Sequence, residues 1–384
     1  MVQVNATRGA GLLSPDAPAK DQQAHPLDED LRAEVDRELT AFLQAKRDDA
    51  AQIDSQFVAA VDSLSDFVLG GGKRLRPTFA WWGWRGAGGS STGSEARAVL
   101  RAVSSLELIQ ACALVHDDLM DDSTTRRGEP TVHVHFAARH RAAGWLGTPE
   151  RFGAATAILL GDIALAWADD MLRAADLWPD QLGRALGVWQ AMRTEVLAGQ
   201  YLDVLTQARG DEAPETALQI DRYKTAAYTV ERPLHLGAAI AGACPALVDT
   251  YRRFGADIGI AFQLRDDLLG MFGDPVVTGK PAGDDLREGK RTLLLAYGLR
   301  AADGQRHTKA AKLLRGAIGD PQVQHDTVTE VRELLIELGA VAEVESRITE
   351  LTDSALTSLC AADLAEPAHA RLIELAAQAT CRTS

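Results

Sequence analysis

From residue 27 onward, apolar side chains recur at intervals of three and four: Leu31, Val35, Leu39 and Phe42, then Ile53, Phe57, Val61, Leu64 and Val68. That is the period of a helix with one buried face. The same spacing predicts helices at about 95–122, 153–175, 181–205, 223–243, 247–271, 291–299 and 328–338, with a last pair beyond residue 341. Strand-like alternation is almost absent, so the expected class is all-α. Breaks at 85–94, 209–215, 273–290 and around Gly304 and Asp320 are too short for interdomain linkers, and no repeat of fixed period occurs. One continuous domain over 27–384 is expected. Residues 1–26, with three prolines and no apolar run, are expected to form a disordered tail.

Of the 384 residues, 46% are hydrophobic and 24% charged, enough to bury a sizeable core and too apolar for a disordered chain. The formal charge is −14, which argues against nucleic acid or anionic lipid as partner. An anionic substrate would also be repelled, unless local cations or carboxylate-held metals reverse the field at its site. Cys112, Cys244, Cys360 and Cys381 are far apart with no CxxC pair, which fits reduced thiols in a cytoplasmic protein. No signal peptide is read, and the best membrane candidate, 153–168, is interrupted by Asp162 and shorter than the roughly 20 residues a span needs.

The stretch 105–122, SLELIQACALVHDDLMDD, runs an apolar helix into Asp117, Asp118, Asp121 and Asp122. Offsets of three and four crowd these carboxylates on one face, where they repel unless neutralised. A hard divalent ion such as magnesium would do this, bridging carboxylates to substrate phosphates. The alternative is a solvated acidic helix end. A second apolar helix, 258–271, carries Asp266 and Asp267 in the same way. Two such pairs on core-like helices could clasp metal between them, whereas Asp169 and Asp170, with no basic cluster after them, read as a polar face.

Basic residues alternate with these acids. GGGKRLRP presents Lys73, Arg74 and Arg76 from a glycine-rich turn, and Arg126-Arg127-Gly128 follows the first acid cluster. Lys224, Lys280 and Lys290 lie further on, the last two in a Gly/Pro-rich loop that also holds Asp284 and Asp285. The alternation implies two polyphosphate groups, one gripped through metal and one by Lys and Arg directly. The GxxxxGK[ST] spacing of a nucleotide-binding loop is missing. His133 and His135 have no third ligand nearby and read as structural.

GGGKRLRP, LVHDDLMDDSTTRRG, GQYLD at 199–203, KTA at 224–226, FQLRDD, TGKP and GKRT occur in one order between about residues 35 and 300. In that order they resemble the trans-isoprenyl diphosphate synthases of the polyprenyl synthetase family, most nearly the bacterial geranylgeranyl type. The resemblance implies a single-domain bundle of more than ten helices around a deep central cavity, the isoprenoid synthase fold, in a cytoplasmic homodimer. It implies a head-to-tail prenyltransferase that condenses isopentenyl diphosphate with allylic diphosphates, using three magnesium ions per site with substrate bound. Asp117, Asp118, Asp121 and Asp266 would be the metal ligands, with Asp267 among the catalytic acids. Arg126, Lys224 and Lys280 would hold the allylic diphosphate; Lys73, Arg76, Gln110, Arg127 and Lys290 would hold isopentenyl diphosphate. Thr225 and Gln263 would turn oxygen dipoles toward the cationic carbons. A terpene cyclase would not need the second diphosphate site.

Two features qualify that reading. Gly270 stands where many relatives have a third aspartate, which leaves room for a regulatory or partner-dependent subunit. Product length in such enzymes depends on what blocks the cavity below the first acid motif. Cys112 and Ala113, about one turn deeper than Asp117, are both small, which favours a geranylgeranyl product over a farnesyl one, with Ile109 or Trp167 ending growth. A farnesyl or a longer-chain product remains an alternative.

Overall fold

The computed structural model describes residues 27–273 and 283–381, so the tail expectation for 1–26 and the role given to Lys280 lie outside the described residues. Among the described residues the chain is all-α apart from one two-residue hairpin, Thr125–Arg126 against Glu129–Pro130. The expected helices are present, more than ten of them.

Five of them carry functional residues or pack directly on a helix that does. Helix α1 (Leu106–Met120) buries Leu108, Ile109, Ala111, Cys112 and Val115 and ends on the first acid cluster. Helix α2 (Pro149–Arg173) begins on a proline, whose missing N–H costs nothing there, and buries Gly153, Ala157, Leu160, Ala164, Ala168 and Leu172 at helical spacing. Helix α3 (Pro179–Arg209) starts the same way and ends at Gly210, in the left-handed region at φ 65°. Helix α4 (Pro245–Phe272) carries the second acid pair, and the short helix α5 (Asp284–Glu288) follows it.

Two predicted helices are each divided. The span at 95–122 breaks at Ser104 and Ser105, whose hydroxyls donate back to the carbonyls of Leu100 and Ala102 at 2.7 and 2.5 Å. Such bonds offer the backbone an alternative to the helix ladder. The span at 223–243 begins as a π-helical segment, Asp221–Glu231, and tightens to α-helix only at Arg232–Ala241. The wider segment is clasped by glycines: a Cβ on Gly199 of α3 would lie 2.2 Å from the Lys224 backbone nitrogen, and one on Gly259 of α4 would lie 2.5 Å from Ala226 Cα. Larger residues at either position would push these helices apart.

The apolar side chains form two clusters. The larger gathers Trp81, Trp84, Trp189, Tyr251 and Phe254; the smaller is built around Leu264, Leu268, Leu293 and Leu335. Helix α4 feeds both, through Phe254 and Ile258 on one side and Leu264 and Leu268 on the other. By length and composition alone, two stretches, Gly93–Met120 and Pro149–Arg173, are long and apolar enough to cross a membrane. The first lies mostly inside the protein. The second exposes Ile158 and Leu159, which are 49% and 61% accessible.

Candidate active site

The C-terminal end of α1, the middle of α3, the π-helical segment and the end of α4 enclose a cavity of about 290 Å³. Its acidic wall holds Asp117, Asp203, Asp221, Asp266, Asp267 and Asp285. Its basic groups are Arg76, Arg126, Lys224, Lys290 and Arg291, and an apolar side is made by Ala113, Leu114, Val196 and Phe262.

Lys224 occupies the middle of this charge pattern. Its ammonium donates to Asp117 Oδ1 at 2.9 Å and to Asp203 Oδ2 at 2.6 Å, while Gln200 Nε2 donates to Asp117 Oδ1 at 3.1 Å. The close packing at Gly199 brings Gln200 and Asp203 beside Lys224. Burial alone would raise the Asp117 carboxyl, but Lys224, Lys290 and Arg126 outweigh it and hold it at about 2. Asp121 goes the other way: burial, then the charge of Asp117, push it up to about 6. Asp221 is pushed up to about 8 by burial and by Asp203. Asp267 rises well above the carboxylate range through burial, Asp221 and Asp285. The upward shifts of Asp121, Asp221 and Asp267 express burial beside other acids in one low-dielectric cleft, and the downward shift of Asp117 expresses the cations around it.

A second group stands on the opposite side. The Tyr228 hydroxyl donates to Gln110 Oε1 at 2.8 Å; the Arg76 guanidinium lies 4.0 Å over the Tyr228 ring and donates to Thr229 Oγ1 at 2.8 Å. In the same cavity, Thr225 donates to Gln263 Oε1 and Gln263 Nε2 donates to Asp267 Oδ1, both at 2.7 Å. This chain fixes the direction in which the Gln263 amide points.

Most residues expected at the site do line this cavity, but several stand elsewhere. Asp118 is 1% exposed and does not line the cavity; Arg126 Nε donates to both of its oxygens at 2.8 Å. Arg74, from the basic turn, begins its helix in the left-handed region and is spent on Asp36 and Glu107, each at 2.7 Å. Arg127 donates to the Gly71 carbonyl at 3.0 Å and Lys73 is exposed; neither lines the cavity. Lys290, grouped by resemblance with Arg76 and Gln110, sits instead among acids: 2.6 Å from Glu288 and 3.4 Å from both Asp121 and Asp285.

Of the two small floor residues, Ala113 faces the cavity and Cys112 does not. Cys112 is buried with Sγ 3.8 Å from His116 Nδ1, on the face of α1 that meets α2 through the Ile158 carbonyl. Ile109 is core, and Trp167 lies beneath the Lys46 ammonium. Asp203, Asp221, Tyr228 and Asp285 were given no role from sequence. GQYLD was the signal for Asp203; nothing in the local pattern marked Asp221.

Three comparisons bear on this site. The family model for polyprenyl synthetase matches residues 59–335. Geranylfarnesyl diphosphate synthase of Aeropyrum pernix is 35% identical over 283 residues, 73% of this chain and 80% of that one. The (2E,6E)-farnesyl diphosphate synthase of Mycobacterium tuberculosis is 33% identical over 287 residues, 73% of each chain. A crystal structure of geranylgeranyl pyrophosphate synthase from Corynebacterium glutamicum, complexed with isoprenyl diphosphate and magnesium, is 49% identical. It superimposes with a TM-score of 0.87 over 90% of this chain and 97% of that chain.

Proposed function

The chain belongs to the polyprenyl synthetase family and is a prenyltransferase, and on that premise we propose that it condenses isopentenyl diphosphate head to tail with allylic diphosphates, ending at geranylgeranyl diphosphate. The observation that carries this reading is the Lys224 ammonium held between Asp117 and Asp203, facing Asp266 and Asp267 across one cavity that also holds Arg76 and Gln110.

The donor set fits magnesium. It is all carboxylate oxygen, and Asp267 Oδ2 and Asp221 Oδ2 are buried without a hydrogen-bond partner. Magnesium keeps several waters and completes its shell with phosphate oxygens, so a few carboxylates suffice to hold it. Asp117, Asp121 and Asp266 are the proposed ligands, with Asp118 acting through Arg126. Bound there, magnesium would offset diphosphate charge and polarise the allylic carbon–oxygen bond.

The chain's own groups account for the remaining chemistry. Arg126 and Lys224 stabilise the departing diphosphate as the carbon–oxygen bond breaks. Arg76 and Gln110, with Lys73 and Arg127, hold isopentenyl diphosphate so that its alkene attacks the allylic cation and forms the new carbon–carbon bond. Oxygens of Thr225 and Gln263 face that cation, and Ala113, Leu114, Val196 and Phe262 keep water from it. The proton lost in the last step passes to the released diphosphate.

The names of the relatives include farnesyl, geranylgeranyl and geranylfarnesyl, so product length rests on this cavity, and the small Ala113 supports twenty carbons. The exposed apolar face of α2 supports a homodimer, and the unpaired thiols of Cys112, Cys244, Cys360 and Cys381 support a cytoplasmic location. Incubating the purified protein with magnesium, isopentenyl diphosphate and, separately, five-, ten- and fifteen-carbon allylic starters tests the reading. A twenty-carbon product is expected; no condensation with any starter would overturn it.

A further inference from the structure

Gly270 and Asp285 share one volume. A Cβ built on Gly270 would lie 2.5 Å from Asp285 Oδ2, and among the described residues no backbone atom outside its own helix lies within 4 Å of it. Position 270 is one turn beyond Asp266 on the helix that carries the second acid pair, so a side chain there would start where the Asp285 carboxylate ends. The chain is returned to this point by a backbone bond, in which the Gly283 N–H donates to the Gly270 carbonyl at 3.0 Å. Gly283 then adopts φ 82° and leads directly into the short helix α5.

We propose that Asp285 supplies, from this short helix, the third carboxylate of the second acid motif, and that Gly270 is the residue whose missing side chain admits it. The assignment rests on the metal–diphosphate reading above and deepens it. Asp285 lines the same cavity as Asp266 and Asp267. Beside it the Asp267 carboxylate is 6% exposed and has Oδ2 without a hydrogen-bond partner, a buried oxygen that a cation would satisfy. Lys290 holds the arrangement in place. Its ammonium lies 3.4 Å from Asp285 Oδ1 and 3.4 Å from Asp121 Oδ2, tying the helix that delivers Asp285 to the first acid motif. Ser123 adds a second tie, donating to Glu288 Oε1 at 2.8 Å. The sequence departure at Gly270 is therefore a relocation of the acid and leaves the site complete.

The test is Mn²⁺ binding to the full chain in the presence of inorganic pyrophosphate, read as free Mn²⁺ by electron paramagnetic resonance, with a thermal melt for each variant. Asp285→Asn should weaken Mn²⁺ binding by about tenfold or more. Gly270→Asp alone should also weaken it, because the new carboxylate contends with Asp285 for one space. Combining Gly270→Asp with Asp285→Asn should restore affinity to within about threefold of the parent, a compensation that a purely structural Asp285 would not produce. Asp285→Asn binding Mn²⁺ like the parent overturns the proposal, as does a double variant that binds no better than Asp285→Asn. If Asp285→Asn fails to fold, the comparison of Gly270→Asp with the double variant still decides. Asp117→Asn separates the levels: its loss of binding with Asp285→Asn unaffected refutes this inference alone. A parent that binds no Mn²⁺ with pyrophosphate refutes the site reading beneath it.

Discussion

The Lys224 ammonium lies 2.9 Å from Asp117 Oδ1, across 107 residues of chain, and joins the first acid motif to the π-helical segment. Removing it leaves Asp117 and Asp203 facing each other in a buried cleft and takes one cation from the departing diphosphate. Lys224→Ala is expected to lower kcat/KM by about 10²–10³-fold. Steady-state condensation rates check this, and a loss below tenfold would be inconsistent with a direct role.

Arg126 Nε donates to both Asp118 oxygens at 2.8 Å. Asp118→Asn should raise KM for the allylic diphosphate while leaving Mn²⁺ binding with pyrophosphate close to that of the parent. Asp117→Asn should abolish that binding. Equal losses in the two variants would return Asp118 to the metal.

Stability of the metal-free protein should fall as pH rises from 6.5 to 8. Asp221, pushed up to about 8, retains its proton in the folded state over this range, whereas the unfolded chain has lost it. The folded state then binds more protons, so the slope of unfolding free energy against pH is negative, on the order of 1 kcal/mol per pH unit. Below 6.5, His235, pushed down to about 4 by burial and by Arg232, contributes the opposite slope. Urea unfolding at pH 6.5, 7.2 and 8 measures this, and Asp221→Asn should flatten the dependence.

Ala113→Phe should shorten the product by at least one five-carbon unit, because the ring enters the cavity. Cys112→Phe, packed toward His116 and α2, should instead cost about 1–3 kcal/mol through overpacking with less effect on length. Product analysis beside thermal melts separates the two positions. A shortened product from Cys112→Phe alone would put the floor on the other face of α1.

Leu159→Glu on the exposed face of α2 should convert a dimer to a monomer, read by sedimentation. Retention of the parent's sedimentation coefficient would move the interface elsewhere.

The helices were legible because their period is local: Leu108, Val115 and the acids after them announce a helix with one buried face and a charged end without reference to any other segment. The divisions were not. Ser104 and Ser105 end one helix through hydroxyl bonds to their own preceding turn, and the π-helical widening at Asp221–Glu231 depends on Gly199 and Gly259 of two other helices. Asp117, Lys224, Gln263 and Asp266, all drawn from the ordered motifs, line one cavity. Charge type alone could not separate Arg76, which faces it, from Arg74, two residues earlier, which is consumed by Asp36 and Glu107.

What the sequence determined by itself was the all-α class, the two acidic helix ends and the basic turns, since each follows from short-range periodicity and side-chain chemistry. Only the tertiary structure decided which oxygens share a space. Asp118 lies one residue from Asp117 but does not line the cavity, because neighbouring helical positions diverge by about 100°. Asp285 lies fifteen positions beyond Gly270 and meets it, because the chain folds back through the Gly283 to Gly270 backbone bond. Such pairings depend on packing between segments, which no local pattern encodes.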